Sequence, residues 1–292
     1  MRCFALLPAI GLLLCVTLSA QEARLAEYHP DWTTGLLSIT IEQLVPPGAA
    51  NQPAAISQTQ ADIRRTAAPL IASVFAALPY DSYYTVGSLL EEKESAVSIL
   101  MQAAREARAV DARATPDLQA ALVTYEIDMY RDLVAPLLTH DHPLPLPISL
   151  KRVPHGEYTG IVVYAADPLD HWDTRAIAGP NRVRLEPAMR PGIYYRKGSA
   201  DELFRLIEAE NVEPEFLSQW GVVGYTSGLT DDLMSRRVGP NPLRIVASGV
   251  FGSRPTDLIL SEEDTLQILS SPANRRLLSE GRILVIISPD KL

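Results

Sequence analysis

Both cysteines of the chain, Cys3 and Cys15, sit inside one short apolar stretch at its start. Met1-Arg2 leads into an apolar run from Cys3 to Leu14, followed by Cys15-Val-Thr-Leu-Ser-Ala20 and the polar pair Gln21-Glu22. One positive charge, a short apolar core and small residues at the exit make the pattern of a secretory signal. The run is too short and wrongly flanked for a stable membrane span. Residues 1–20 are therefore expected to be a signal peptide, cut after Ala20 or after Ser19. A lipoprotein reading would use Cys15, but such boxes take a small residue just before the cysteine and Leu14 stands there. Membrane attachment is expected only if Cys15 is lipidated.

The consequence for folding is direct. Once residues 1–20 are removed no thiol remains, which rules out a disulfide, a thiolate metal ligand and a cysteine nucleophile. The remaining chain must be held by apolar burial, and it is long enough for one large or two ordinary domains. Apolar residues make up 47% and charged residues 21% of the sequence, the balance of a globular protein. Export places the product in the periplasm or outer envelope, away from cytosolic ATP and NAD, and no cofactor is expected. The formal charge of −9 becomes one unit more negative without Arg2. Such a surface repels phosphate backbones, so no nucleic-acid partner is expected.

The pattern predicts an α+β protein of two mixed α/β-layer domains after the signal peptide. The boundaries read as an N-terminal domain over 21–142, a Pro-rich linker over 143–157 and a C-terminal domain over 158–292. Residues 21–34 read as a leader. Leu37, Ile39 and Ile41 alternate with Ser38, Thr40 and Glu42, a half-buried strand over 35–45 that Pro46-Pro47-Gly48 ends. Ile56, Ile63, Ala67, Leu70, Val74 and Leu78 lie along one face of a helix over 52–78, kinked or split at Pro69. Tyr80–Val86 reads as extended. Ser88-Leu-Leu-Glu91 has the capping-box pattern for a helix to Ala107, with Leu89, Val97, Leu100 and Ala104 on its apolar face. A hairpin over 108–129 turns at Thr115-Pro116-Asp117. This half therefore reads β-α-β-α-β-β.

Pro143, Pro145, Pro147 and Pro154 favour an extended connection. Beyond it, Tyr158–Ala165 reads as a buried strand, with short strands at 181–186, 193–196, 222–225 and 243–250. Ser199-Ala-Asp-Glu202 has a capping-box pattern for a helix to Glu210. Ser261-Glu-Glu-Asp264 and Ser271-Pro272 open two further helices. Ile283–Ile287 is a final, fully apolar strand.

The order of these segments resembles a bacterial family of small outer-membrane lipoproteins that includes FlgP-type flagellar outer-membrane-associated proteins, in its larger exported members. The residues that carry this are Asp31-Trp32-Thr-Thr-Gly35, the Ala-rich helix over 54–78, Thr85-Val86 and the segment from Ala107 to Leu138. In the second half they are Tyr158-Thr-Gly-Ile-Val-Val, Gly221-Val-Val-Gly-Tyr225, Val238-Gly-Pro-Asn-Pro242 and the stretch from Thr256 to Ile287. The resemblance implies a structural role in the envelope, in some members in motility, and carries over no catalytic residue.

Asp167, Asp170, His171 and Asp173 form the densest polar cluster, just past an apolar strand end. Carboxylates with an imidazole suit a divalent ion or acid–base work, while Asp167-Pro168 also suits a plain polar turn. His140-Asp141-His142 is a weaker metal pattern, lacking further ligands. Gly224-Tyr-Thr-Ser-Gly228 has Thr at its centre, so the nucleophile-elbow pattern is absent. Arg182, Arg184, Arg190, Arg196 and Lys197 read as a solvated rim. Catalytic, cofactor and metal residues are therefore expected to be none. The primary expectation is an exported, non-enzymatic envelope protein with a structural or assembly role, binding envelope proteins or itself. The alternatives are a metal-dependent periplasmic hydrolase using the 167–173 loop, and a ligand-binding module with Trp172 and Trp220 as stacking residues beside a deep interdomain cleft.

Overall fold

Leu37, Ile39 and Ile41 are fully buried on one face of an antiparallel sheet in the computed structural model, which describes residues 22–92, 94–137, 140–153, 156–172, 182–197, 202–230, 232 and 234–292. The sheet joins β1 (Arg24–Asp31), β2 (Leu36–Leu44), β3 (Arg108–Ala114) and β4 (Ala120–Asp128) in the order β1-β2-β4-β3. Register places Leu37 beside Ile127, Ile39 beside Tyr125 and Ile41 beside Val123, so the period-2 pattern of β2 meets that of β4 on one face. Helix α1 (Gln52–Thr66) and helix α2 (Ala68–Ala77) cover that face through Ile63, Ile71, Val74 and Phe75. The predicted split at Pro69 is present: one helix ends at Thr66 and the next takes Pro69 in its first turn, where a missing N–H costs nothing.

Several expectations for this half are corrected. The leader over 21–34 is instead strand β1, with a bulge between Leu25 and Glu27. The Tyr-rich segment is a bent loop closed by a bridge between Pro79 and Thr85, and Asp81 accepts from the N–H groups of Tyr83 and Tyr84. Helix α3 (Val86–Glu92) starts before Ser88 because Thr85 is the cap: its hydroxyl accepts from Ser88 N–H, and Ser88 Oγ accepts from Thr85 N–H. Helix α4 (Glu94–Glu106) leaves Val97 43% exposed and buries Ala96 in its place. The order is thus β-β-α-α-α-α-β-β.

The second half holds two sheets. Strand β5 (Ile161–Tyr164) lies between β14 (Ile283–Ile286) and β11 (Leu243–Val246), with β10 (Gly224–Thr226) outside β14, all parallel. Continuous apolar runs such as Ile161-Val-Val and Ile283-Leu-Val-Ile suit inner strands of such a sheet. The second sheet runs β7-β6-β12-β13-β8-β9 through β6 (Leu169–Trp172), β7 (Arg182–Val183), β8 (Ile193–Arg196), β9 (Leu203–Ile207), β12 (Gly249–Phe251) and β13 (Asp257–Leu260).

The single strand expected over 243–250 is two strands in different sheets. The switch falls between neighbouring residues: Ala247 N–H donates to Tyr164 O and Ser248 N–H to Ile259 O. The helix expected from Ser199 to Glu210 is instead β9, paired antiparallel with β8; Ser199 itself lies outside the described residues. Helix α5 (Pro214–Trp220) has no counterpart in the sequence reading. The two late caps hold: Ser261 Oγ accepts from Asp264 N–H and Ser271 Oγ from Asn274 N–H, opening helices Glu262–Leu269 and Pro272–Ser279. The signal peptide expected over residues 1–20 lies outside the described residues.

The halves share one continuous apolar core. Trp32 meets Tyr225 edge to face, with ring centroids 6.1 Å apart. Tyr130, on a π turn that follows β4 (Met129–Val134), fills the space between Gly35 of its own half and Gly221 of the other.

Candidate functional site

The expected Asp/His cluster does not converge. Asp170 and His171 are adjacent on β6, so their side chains leave opposite faces. Asp170 is exposed beside Arg182, 3.7 Å away. His171 Nε2 bonds Gly252 O at 2.8 Å. Asp167 and Asp170 do line one small crevice of about 220 Å³ with Tyr164 and Ser248, beyond the carboxyl ends of β5 and β11. Asp173 lies outside the described residues. His140 Nε2 bonds Val212 O at 3.0 Å, while Asp141 and His142 are exposed.

The basic residues are dispersed among separate partners. Arg184 pairs with Asp290, Arg190 with Glu210, Arg196 lies over Trp172, and Lys197 lies over Phe204. The two tryptophans are not neighbours across a cleft. Trp220 stacks on Phe216 and donates from Nε1 to Glu280 O, and Arg237 lies over its ring.

A different set of residues converges at the domain junction, around a cleft of about 390 Å³. Its N-terminal wall is the Tyr80–Tyr84 loop; its C-terminal wall carries Arg190, Tyr194 and Glu210. At its base Asp257, only 3% exposed, accepts from Ser82 Oγ and from Gly192 N–H, both at 2.8 Å. Burial pushes this carboxyl up to about 6, and the charge of Asp81 adds to the rise; the bonds from Gly192, Ser82 and Thr256 oppose it. Beside it, Arg190 donates to Tyr80 Oη at 2.6 Å and pairs with Glu210, whose carboxyl lies below its usual range: the guanidinium outweighs a substantial desolvation cost.

Backbone bonds tie the same walls. Met189 N–H donates to Pro79 O, Arg190 N–H to Tyr80 O and Arg254 N–H to Ser82 O. Phe251 holds Tyr83 and Tyr194 at centroid distances of 6.2 and 5.0 Å. The polar groups here are chiefly engaged with each other across the junction. They act as ties, and the cleft above them presents tyrosine rings and paired charges. Sequence reasoning missed Asp257; its signal was a lone carboxylate opening the apolar strand Asp257-Leu-Ile-Leu260.

A second buried charge sits deeper. Arg237, 7% exposed, donates to the carbonyls of Trp220, Gly221 and Gly281 at 2.7, 3.1 and 3.0 Å. It satisfies the carboxyl end of α5, where helix carbonyls lack partners. Burial lowers its pKa to about 10.

Among the described residues no three carboxylate or imidazole groups gather as a metal site, and no helix is long and apolar enough to cross a membrane. No curated protein matches the chain. Residues 26–136 match the family described as Treponema pallidum Tp0624, N-terminal domain, and residues 160–289 match Treponema pallidum Tp0624, second domain. These families, and not that of the FlgP-type proteins, are the ones matched. Two successive stretches of the chain are thus similar, in order, to the Tp0624 N-terminal domain and the Tp0624 second domain.

Proposed function

We propose that this chain is an exported, non-enzymatic protein of the cell envelope with a structural or assembly role. The observation that supports this most is the junction. Ser82–Asp257 and Arg190–Tyr80 use polar side chains to join two domains into one core. Catalytic acids and bases need a free face toward substrate, and these groups are engaged with each other. The export signal over 1–20 and its thiol-free remainder agree with a periplasmic or outer-envelope location.

Fractionation tests this. The intact chain is expected in the envelope fractions, and a form lacking residues 1–20 in the cytosol. Recovery of the intact chain in the cytosol overturns the proposal.

One observation favours a second reading, a ligand- or ion-dependent role for the 167–173 loop: Asp167 and Asp170 line a crevice at the carboxyl ends of parallel strands, where sites of α/β sheets collect. Titration calorimetry with Ca²⁺, Mg²⁺ and Zn²⁺ decides it. Heat that disappears in Asp170→Ala supports this reading; no heat with any of the three removes it.

A further inference from the structure

The Pro-rich segment carries the most exposed apolar side chains among the described residues. Leu150 is 95% exposed, Val153 75% and Ile148 69%. The segment is nevertheless tied to the body. Leu144 N–H donates to Glu210 O at 2.7 Å, Asn211 Nδ2 to Leu144 O at 3.2 Å, and Arg152 to Glu263 O at 3.3 Å. Pro143, Pro145 and Pro147 fix their own φ and hold the preceding residues extended. A polyproline-like course repeats every three residues, which puts Pro147, Leu150 and Val153 in one row. The segment is a strap that displays apolar groups outward, with Lys151 and Arg152 between them.

A groove of about 510 Å³ lies elsewhere, between α4 and the first sheet. Leu36, Ile99, Ala103 and Pro136 supply its apolar surface. Its charged lining has four carboxylates, Glu106, Glu126, Asp128 and Asp132, against two guanidiniums, Arg108 and Arg131. Arg131 is bonded to Asp132 at 2.8 Å. Glu106 and Glu126 are exposed.

We propose that the strap of one copy docks into this groove of a second copy, so that the chain self-assembles head to tail. The pairing rests on charge: a row with two cations meets a groove of mixed lining in which carboxylates outnumber guanidiniums. Lys151 pairs with Glu262 at 3.7 Å, and Arg152 holds the carboxylate and the backbone carbonyl of Glu263 at 3.4 and 3.3 Å. Pairs of this kind at a surface are weak and screened, and partner carboxylates can replace them. Strap and groove are different surfaces, so the contact is heterologous and repeats into a ring or a filament. This rests on the assembly role proposed above, narrowing its partner to a second copy; fractionation tests the location, and the following experiment tests the contact alone.

Sedimentation velocity of the purified chain is expected to show mass rising with concentration at low salt and falling back toward the monomer at high salt. Lys151→Glu with Arg152→Glu, and separately Glu106→Lys with Glu126→Lys, are each expected to weaken association at least about tenfold. An equimolar mixture of the two variants restores it, because the acidic strap then meets the basic groove. Leu150→Ala, which changes no charge, also weakens it. Glu106, Glu126, Leu150 and Lys151 are exposed and Arg152 is half-buried, and unchanged circular dichroism confirms that each variant is folded. A wild-type chain that stays monomeric at every concentration overturns the proposal, as does association that ignores both charge reversals or a mixture that does not restore it. Binding of the monomeric wild type, but not the strap variant, to vesicles of anionic phospholipid assigns the strap to a membrane and equally overturns it.

Discussion

Ser82 donates its hydroxyl proton to the buried carboxylate of Asp257 at 2.8 Å, across 175 positions of sequence and from the N-terminal half to the C-terminal half. Both carboxylate oxygens face neutral donors, and among the described residues no guanidinium or ammonium is bonded to either. The bond therefore joins the halves while leaving a buried acid whose charge is costly.

That cost makes stability depend on pH. The carboxyl titrates near about 6 when folded and near about 3.9 when unfolded. The fold thus prefers the protonated acid, and the contribution is complete below pH ~4 and lost as pH rises toward ~6, by about 2–3 kcal/mol. Urea unfolding at intervals from pH 4 to 8 is expected to show this decline. In Asp257→Asn the decline should vanish, and in Ser82→Ala its midpoint should move upward, because one bond that favours the charged form is gone.

Tyr130 tests the packing of the junction. A Cβ at Gly221 would lie 2.3 Å from the tyrosine ring, at a backbone φ of +72° that side chains disfavour. Gly221→Ala should destabilise by more than about 2 kcal/mol through clash and strain together. Tyr130→Ala should cost about 3–5 kcal/mol through the cavity it leaves.

The hydroxyl of Tyr130 is buried without a hydrogen-bond partner among the described residues, and burial pushes its pKa up to about 12. Removing an unsatisfied polar atom relieves its desolvation, so Tyr130→Phe should stabilise by up to about 1 kcal/mol. Thermal melts of the two substitutions should move in opposite directions. A lowered Tm in Tyr130→Phe would mean that the hydroxyl has an acceptor.

Arg237 is expected to be the costliest single charge to remove. Arg237→Met keeps the apolar stem but takes the side-chain donor from the carbonyls of Trp220 and Gly221, at about 1–3 kcal/mol each, while Gly281 O keeps the N–H of Ile283. Arg237→Lys keeps the charge but lacks the planar fork that reaches all three. Chemical denaturation should rank wild type above Lys and Lys above Met.

Local patterns were read correctly where local physics decides. The alternation of Leu37, Ile39 and Ile41, the hairpin around Thr115-Pro116-Asp117, the helix break at Pro69 and the caps at Ser261 and Ser271 each depend on residues within a few positions. The α+β class and a two-domain chain followed from them. Misreadings occurred where distant partners outweigh local preference. Leu203–Ile207 follows a helix-cap pattern yet forms a strand, because β8 offers it a ladder. Arg24–Asp31 carries little apolar content yet pairs along β2 as an edge.

The same division holds for function. The apolar N-terminal pattern, the confinement of both cysteines to it, the acidic charge and the Pro-rich segment are legible in the sequence alone, because each is a property of composition or of neighbouring residues. Only the tertiary structure separated Asp170 from His171 onto opposite faces of a strand and brought Ser82 to Asp257 and Tyr130 to Gly221. Those pairings depend on which strands sit beside which and on how two domains close over a shared core, and no spacing along the chain encodes either.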